Sequence, residues 1–500
     1  MTAPVAPADA RNCAEFFRAI GAAYGDLPAI ALGERTLTYA ELEEQSRALA
    51  KGLLRRGIAK GARVGILMPN SPEWAVAWAA VTRVGGIAVA LSTFLKPPEL
   101  ARVVRHGDLH GLIMQPGFLS SDFVANVEAA FPAARDSSPE LFLADAPYLR
   151  WVALVGGNAP GWARTASWLV DESDELEPLL AAAEAELHHD DPAAVIYTSG
   201  QSALPKGVTH SHGNIMRKVH YHVPNFGPQH GVEAVASMPF FWVGGIALQL
   251  LIILEVGGIV RCMDAPTSGG PALGSITRTA YFQPNGLVSA LGMSETFATY
   301  AWGHGEFHAE HPICTPMEVF DPEVEIRVVT PDGTTAREGE TGELRVRGRG
   351  ITIGLHKVDR RDAFDADGYY RTGDEILIHD GALCFLGRLG DMIKSAGANV
   401  APAEVERELL DLPGVAAAHV VAVDVQGRGH LVGAAVVASE GATLDQSEIV
   451  AVLRQRLSTY KVPRLIAFVE APEVPKTPSN KIDKRRLATL ISERAVGEAR

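Results

Sequence analysis

Two short apolar runs, Val64–Met68 and Ile87–Leu91, flank an alanine-rich segment that opens at Ser71 and stops at Gly85-Gly86. Apolar runs of four to eight residues without alternation read as strands buried on both faces, and Ser71 is a good cap for a helix between them. A strand, a helix and a second strand in that order form a crossover between parallel neighbours. A parallel sheet must then be covered by helices. The preceding segment adds one such helix. Thr38 and Glu41 have capping-box spacing, Leu42, Leu49 and Leu53 share a face of YAELEEQSRALAKGLLRRG, and Gly57 supplies the stop.

The texture changes after about Val324, where short β-type runs such as VEIRVV and GELRVRG are separated by turns such as PDG. After Gly387–Asp391 (GRLGD), helical AEVERELLDL and RQRLSTY flank β-like AAAHVVAV and LVGAAVVA, and about 110 residues suffice for a separate domain. The expected fold is α/β: a large N-terminal domain of helix-covered sheets with a β-rich subdomain over 1–387, a hinge at 388–390, and a small α+β domain over 391–500. The length of 500 residues fits two unequal domains or three structural units. The alanine-rich, acidic stretch Asp171–Asp191 reads as a surface helix.

With 47% hydrophobic and 21% charged residues the chain has ample material for cores, and its net charge of -14 disfavours nucleic acid and anionic lipid as general partners. Any polyanion must be held locally. The longest apolar stretch, Gly245–Val260, includes Gln249 and Glu255 and falls short of the roughly 20 residues of a spanning helix, so no membrane span is expected. The N-terminus lacks the pattern of a signal peptide. Cys13, Cys262, Cys314 and Cys384 are too scattered for a metal knuckle and too few to staple the chain, which suits a reducing cytoplasm.

Chemistry concentrates in Tyr197–Val208, YTSGQSALPKGV. The apolar AAVI before it predicts a strand that delivers a loop whose N–H groups and the Thr198, Ser199 and Ser202 hydroxyls donate to phosphate oxygens, with Lys206 as a point charge. Pro205 and Gly207 stand where a Walker A loop needs Gly before the Lys and Ser or Thr after it, which disfavours a P-loop kinase. By itself such a loop is an ordinary surface turn in most proteins.

Four further segments follow in order: GMSET at Gly292–Thr296, YYRTGD at Tyr369–Asp374, GRLGDMIKSAGANVAPAEVE at Gly387–Glu406, and PKTPSNK at Pro475–Lys481. With the YTSG loop they resemble the adenylate-forming superfamily of acyl-CoA synthetases, peptide-synthetase adenylation domains and beetle luciferases. The resemblance implies an ATP- and Mg2+-dependent carboxylic acid:CoA ligase with a mobile C-terminal domain. It implies that Thr198, Ser199, Gly200, Gln201, Ser202 and Lys206 line the ATP phosphates, with Ser294 and Thr296 also at the nucleotide. It makes Glu295 the carboxylate for Mg2+, Asp374 the acceptor for the ribose hydroxyls, and Arg388 its neighbour on the hinge side. Lys481 is implied as the adenylation lysine, Lys394 and Gly397 as contacts of coenzyme A, and Trp242 and Gly244, in MPFFWVGG, as part of an apolar acyl site. Small-molecule acid, ATP and CoA are the implied partners, and a homodimer is compatible with them.

The sequence departs from the family at several places. Gln201 and Ala203 replace a hydroxyl residue and a glycine, Asn480 replaces the glycine before Lys481, and Gly390 stands at the hinge. Only 28 residues separate Met263 from Gly292, a segment that is longer in family members, and Gly269-Gly270-Pro271-Ala272 reads as a remnant of an adenine-contacting turn. Two competing readings follow: an acyl-AMP ligase that loads a carrier protein, and a weakly active or inactive nucleotide-binding relative. His304, His308 and His311 read as a solvated loop rather than a metal site, and His210 and His212 as packing or hydrogen-bonding residues. Trp242 is balanced between core and acyl-site lining. Lys484–Arg486 reads as a solvated helix face.

Overall fold

The β-α-β order of the first third closes into parallel pairing. Arg63–Leu67 and Ile87–Ala90 run in register from Arg63 opposite Ile87 to Ile66 opposite Ala90. The helix between them, Pro72–Arg83, begins where the Ser71 hydroxyl accepts the Trp74 N–H. Apart from Glu73 every residue of it is buried, and Trp74 and Trp78 stack inside it at 5.3 Å. The computed structural model describes residues 6–198, 206–263, 289–303, 314–316, 320–389, 393–395, 398–425, 429–476 and 482–498.

Chain contacts divide the protein into two units: Met1–Thr93, Val104–Tyr197 and Gly207–Leu389 form one, and Phe94–Val103, Thr198–Lys206 and Gly390–Arg500 the other. The first unit is built on an eight-stranded sheet, in the order Gly354–Leu355, Lys206–Ser211, Pro192–Thr198, Ile87–Ala90, Arg63–Leu67, Gly111–Met114, Trp151–Leu154, Arg164–Thr165. From Pro192–Thr198 onward the neighbours are parallel. The capping box at Thr38 is complete in both directions, and Leu42, Leu49 and Leu53 are buried as their spacing requires. The apolar stretch expected to stay out of the membrane forms a buried helical run, with a wide π-type turn over Ile246–Leu251. It then enters a second sheet through Ile259–Cys262. Among the described residues no helix is long and apolar enough to cross a membrane.

The β-rich subdomain is an antiparallel sheet in the order Cys314–Pro316, Ala382–Arg388, Tyr370–His379, Thr341–Gly348, Val324–Val329. Val328, Leu344, Val346 and Ile376 form its core. The cysteines correct one expectation. Cys13 is a free, buried thiol, whereas Cys384 is disulfide-bonded and faces Cys314 in the strand register. The sequence distance between these two residues hid their pairing position. In the second unit, Val415–Val425, Gly429–Ala438 and Leu465–Phe468 form a sheet packed by Val405, Leu409, Leu453 and Ile466. There Lys461 lies buried between Glu99 at 2.7 Å and Glu404 at 2.9 Å. Lys484, Arg485 and Arg486 are exposed on the last helix, as a solvated face should be.

The acidic stretch Asp171–Asp191 is less superficial than its composition suggests. Its helix is confined to Glu177–Ala185 and buries Leu180 and Glu184, because Arg83 needs a counter-charge. The Arg83 side chain is fully buried, donating to Glu184 at 2.7 Å, to both Glu43 oxygens at 2.6 and 2.8 Å, and to the Ser46 hydroxyl at 2.6 Å. Removing Glu184 leaves Arg83 paired with Glu43 but strands its buried Nε–H donor, a loss of about 1–3 kcal/mol or more for a charged group, while apolar replacement of a buried ion pair costs much less. Glu184→Ala should therefore lower the urea midpoint strongly, and Glu184→Leu combined with Arg83→Met should recover part of the loss. Equal midpoints for Glu184→Ala and wild type would show that Arg83 is solvated.

Candidate active site

GMSET is the turn of a hairpin. Ser289–Met293 and Ala298–Gly303 pair antiparallel, and Ser294–Thr296 turns between them. The Thr296 hydroxyl closes the turn, accepting the Met293 N–H at 3.1 Å and donating to the Ala298 carbonyl at 2.6 Å. Phe297 and Ala298 leave it with φ of 46° and 83°, a left-handed pair that non-glycine residues seldom adopt. Such strain persists only where surroundings fix it. Here the Ser294 carbonyl accepts from His210 Nε2 at 2.8 Å, the His210 ring meets Phe297 edge-on at 5.0 Å, and the Glu295 carbonyl accepts the Thr352 N–H at 2.6 Å.

Thr352 is the joint of the site. Its hydroxyl donates to the Thr209 carbonyl at 2.7 Å, on the strand that leaves the YTSG loop, while its N–H holds Glu295. Asn214, on the next helix, fixes the neighbouring Ile351 carbonyl at 2.5 Å. The Glu295 carboxylate itself accepts from the Tyr370 hydroxyl through Oε1 at 2.7 Å. Tyr370 opens the strand Tyr370–His379, whose burial alternates so that Tyr370, Thr372 and Asp374 share the buried face. The Thr372 hydroxyl donates to Leu344 O at 2.6 Å and lies 3.0 Å from the Asp374 N–H that it accepts. Asp374 stands opposite Arg388 in the strand register.

Three imidazoles are buried in this unit, and two of them, His210 and His222, lie against the turn through Ser294 and Phe297. Burial pushes His210 and His212 down to about 4 and His222 to about 3, so all three are neutral near pH 7. His212 accepts the Cys13 N–H at 3.3 Å. His210 and His212 thus bond and pack, as the sequence reading had them. Deeper in the unit Asp321 takes two bonds from Arg217 and one from Lys218 at 3.1 Å. Burial nevertheless pushes Lys218 down to about 8.

The segment Ser237–Trp242 is held by two carboxamides. Asn70 donates to the carbonyls of Ala236 and Met238 and accepts the Phe240 N–H at 2.7 Å. Gln249, in the π-type turn, accepts the Met238 N–H at 2.7 Å and donates to the Ser237 hydroxyl at 2.8 Å. Phe240 and Phe241 are buried, whereas Trp242 is partly exposed. A Cβ on Gly244 would lie 3.0 Å from the Met238 sulfur, so the glycine permits this close approach.

Residues 17–281 match the family model described as AMP-binding enzyme, more than half of the chain. This chain belongs to the AMP-binding enzyme family. A second model, the AMP-binding enzyme C-terminal domain, matches residues 404–481. Similar proteins include the 3-[(3aS,4S,7aS)-7a-methyl-1,5-dioxo-octahydro-1H-inden-4-yl]propanoyl:CoA ligase of Rhodococcus jostii, 27% identical over 93% of this chain and 96% of that protein. Another is the 3-hydroxybenzoate–CoA ligase of an Aromatoleum species, 27% identical over 93% of this chain and 94% of that protein. The fold is also that of the o-succinylbenzoate CoA synthetase of Bacillus subtilis bound with a product analogue, with a TM-score of 0.73 at 21% identity over 94% and 97% of the two chains.

Against this family frame, the structure brings together Ser294, Glu295 and Thr296 with Tyr370 and, along one strand face, Asp374. Thr198 ends one sheet strand and Lys206 begins the next. Ser199, Gly200, Gln201, Ser202, Ala203, Gly390, Gly397, Asn480 and Lys481 lie outside the described residues, as do Gly269–Ala272 and His304, His308 and His311. So does most of the short stretch between Met263 and Gly292. Arg388 and Lys394 are placed in strands by their backbones. Sequence reasoning overlooked Thr352 and Tyr370. Tyr370 sat inside a quoted motif, and its alternation with Asp374 was the available signal. Thr352 carried none.

The buried imidazoles set an acid limit. The unfolded chain protonates histidine near 6.5, while the folded chain keeps His210, His212 and His222 neutral to about 4 or below. Stability is therefore complete above about pH 6.5 and is lost as pH falls toward 4. Melting temperature should drop over that window, and less steeply in His222→Gln, which removes one titration. Parallel profiles for the two proteins would contradict this assignment.

Proposed function

We propose that this family member is an ATP-dependent carboxylic acid:CoA ligase working through an acyl-adenylate. The observation that carries the reading is the Thr352 and Tyr370 linkage, which ties the Glu295 turn to the strand leaving the YTSG loop and to the strand bearing Asp374. Three separate motifs of an ATP site thereby share one hydrogen-bonded frame. The CoA ligases among its similar proteins, alignable over more than nine-tenths of the chain, support the same reaction.

In the first step a carboxylate oxygen attacks the α-phosphorus of ATP and pyrophosphate leaves. In the second the CoA thiol attacks the acyl carbonyl, its proton passes to solvent, and AMP leaves as the thioester forms. Lys206 and the hydroxyls of Thr198, Ser199 and Ser202, with the Gly200–Gln201 backbone, orient the phosphates, and Asp374 with Arg388 holds the ribose end. Ser294 and Thr296 shape the turn at the nucleotide. Lys481 meets the α-phosphate charge in the first step, and Lys394 and Gly397 face coenzyme A in the second.

Mg2+ suits the donor set. Among the described residues only Tyr370 bonds to the Glu295 carboxylate, so Oε2 stays open for a hard cation that prefers one or two carboxylates plus phosphate oxygens and waters. Bound there, the ion would neutralise charge that develops on the phosphoryl oxygens. The acid is apolar, fatty or cyclic. Phe240, Phe241 and Trp242 on the braced segment 237–242, with Gly244 admitting close approach, support that choice, and the ring-bearing acids in its relatives' names favour a cyclic one. The enzyme would work in the cytoplasm beside its ATP and CoA.

Pyrophosphate exchange over a panel of aromatic, alicyclic and fatty acids tests the reading, followed by free CoA against holo-carrier protein as acceptor. Exchange dependent on an apolar acid and thioester on free CoA are expected; ATP binding without exchange for any acid would overturn it. Lys481→Ala should reduce exchange on the order of 10²-fold or more, as loss of a preorganised charge does, yet spare thioester formation from supplied acyl-AMP. Equal loss of both half-reactions would contradict that division. Glu295→Gln should lower turnover and raise the Mg2+ concentration needed for half-maximal rate, with partial recovery at high Mg2+. An unchanged Mg2+ curve would make Glu295 a packing residue.

A further inference from the structure

The ends of the YTSG loop converge on two histidines that no motif contains. Tyr197, just before the loop, has its hydroxyl 2.9 Å from His106 Nδ1. Gly207, just after it, accepts the His356 N–H at 2.7 Å through its carbonyl. A Cβ on Gly207 would come within 3.1 Å of His356 Cβ and 3.2 Å of the Tyr197 ring, so the strand is wedged between the two. The histidines are joined in turn. His356 Nε2 lies 3.0 Å from the His106 carbonyl and 3.3 Å from Asp108, and the rings meet edge-on at 5.4 Å.

These contacts decide the protons. His356 Nε2 faces a carbonyl and a carboxylate, so it carries the hydrogen. Burial holds the Tyr197 phenol above its ordinary range, so it remains protonated and donates to His106 Nδ1. That bond requires a neutral His106 protonated on Nε2. Burial first, then the neighbouring His356 and Lys357, holds His106 below the ordinary histidine range against the opposing pull of Asp108. Burial, Arg63 and Lys357 do the same to His356, opposed by Asp108.

We propose that His106 and His356 are positioning residues that clasp Tyr197 and Gly207 and so fix where the strand before the phosphate-binding segment ends and the strand after it begins. The proposal rests on the reading of this loop as the ATP phosphate loop. Neither histidine touches the reacting atoms. Their effect falls on nucleotide binding, and acid should weaken it. As pH drops below the ordinary histidine range His106 gains a proton on Nδ1, which turns an acceptor into a donor and expels the Tyr197 hydroxyl hydrogen from its bond.

The test is the ATP dependence of pyrophosphate exchange, together with direct ATP binding by calorimetry, from pH 5.5 to 8.5. Tyr197→Phe and His106→Phe should each raise the KM for ATP about tenfold, the scale of one lost hydrogen bond, with kcat changed about twofold at most. The double variant should be no worse than either single one, since both remove the same bond. His106→Asn, whose amide oxygen can accept from Tyr197, should restore the KM and flatten the acid-side fall in kcat/KM for ATP. An unchanged KM in both Phe variants, or losses that multiply in the double variant, would overturn the clasp. If His106→Phe folds poorly, Tyr197→Phe carries the same comparison. Lys206→Ala separates the two levels: with ATP affinity unaffected by it, the phosphate-loop reading fails, whereas weakened affinity beside normal Tyr197→Phe rejects the clasp alone.

Discussion

Thr352 offers one donor on its backbone and one on its side chain, and the two point to partners far away in sequence: the Glu295 carbonyl and the Thr209 carbonyl. Buried carbonyls need such partners, and meeting both needs with one residue fixes the distance between the hairpin turn and the strand of the large sheet. The left-handed Phe297 and Ala298 depend on that fixture, as does the orientation of the Glu295 carboxylate toward Tyr370. Relaxing the joint would let the turn fall into an unstrained form and turn its carboxylate away from the shared frame.

Much of the architecture was legible because it rests on periodicity. The Ser71 and Thr38 caps, the buried leucines of the second helix and the parallel pairing of Arg63–Leu67 with Ile87–Ala90 follow from local patterns. Glu295 and Asp374 could be singled out by motif, and the structure puts both within one frame. Long-range complementarity was not legible. Nothing local marks Glu184 as the counter-charge of Arg83, or Thr352 as a bridge, because each role is defined by a partner more than fifty positions away. His106 and His356 are silent for the same reason.

Electrostatics are divided between interior and site. The buried cations Arg83 and Lys218 and the half-buried Arg217 are matched to carboxylates by direct bonds, and so contribute little field beyond their neighbours. The chain as a whole carries -14. Attraction for a triphosphate must come from groups facing it at short range, which places a high demand on loop geometry and on any cation held at Glu295. The neutral His210 and His222 against the turn suit that demand, since charge there would compete with any such cation.

The strand Tyr370–His379 sets Tyr370, Thr372 and Asp374 on one buried face by simple alternation. Chain length between these residues is therefore quantised. Loss or gain of a single residue would turn either the phenol or the carboxylate out to the opposite face, whereas a change of side chain leaves the parity intact. Among descendants of this sequence, this short strand should tolerate drift in letters far better than drift in spacing, so that insertions and deletions are driven to the turns at its two ends.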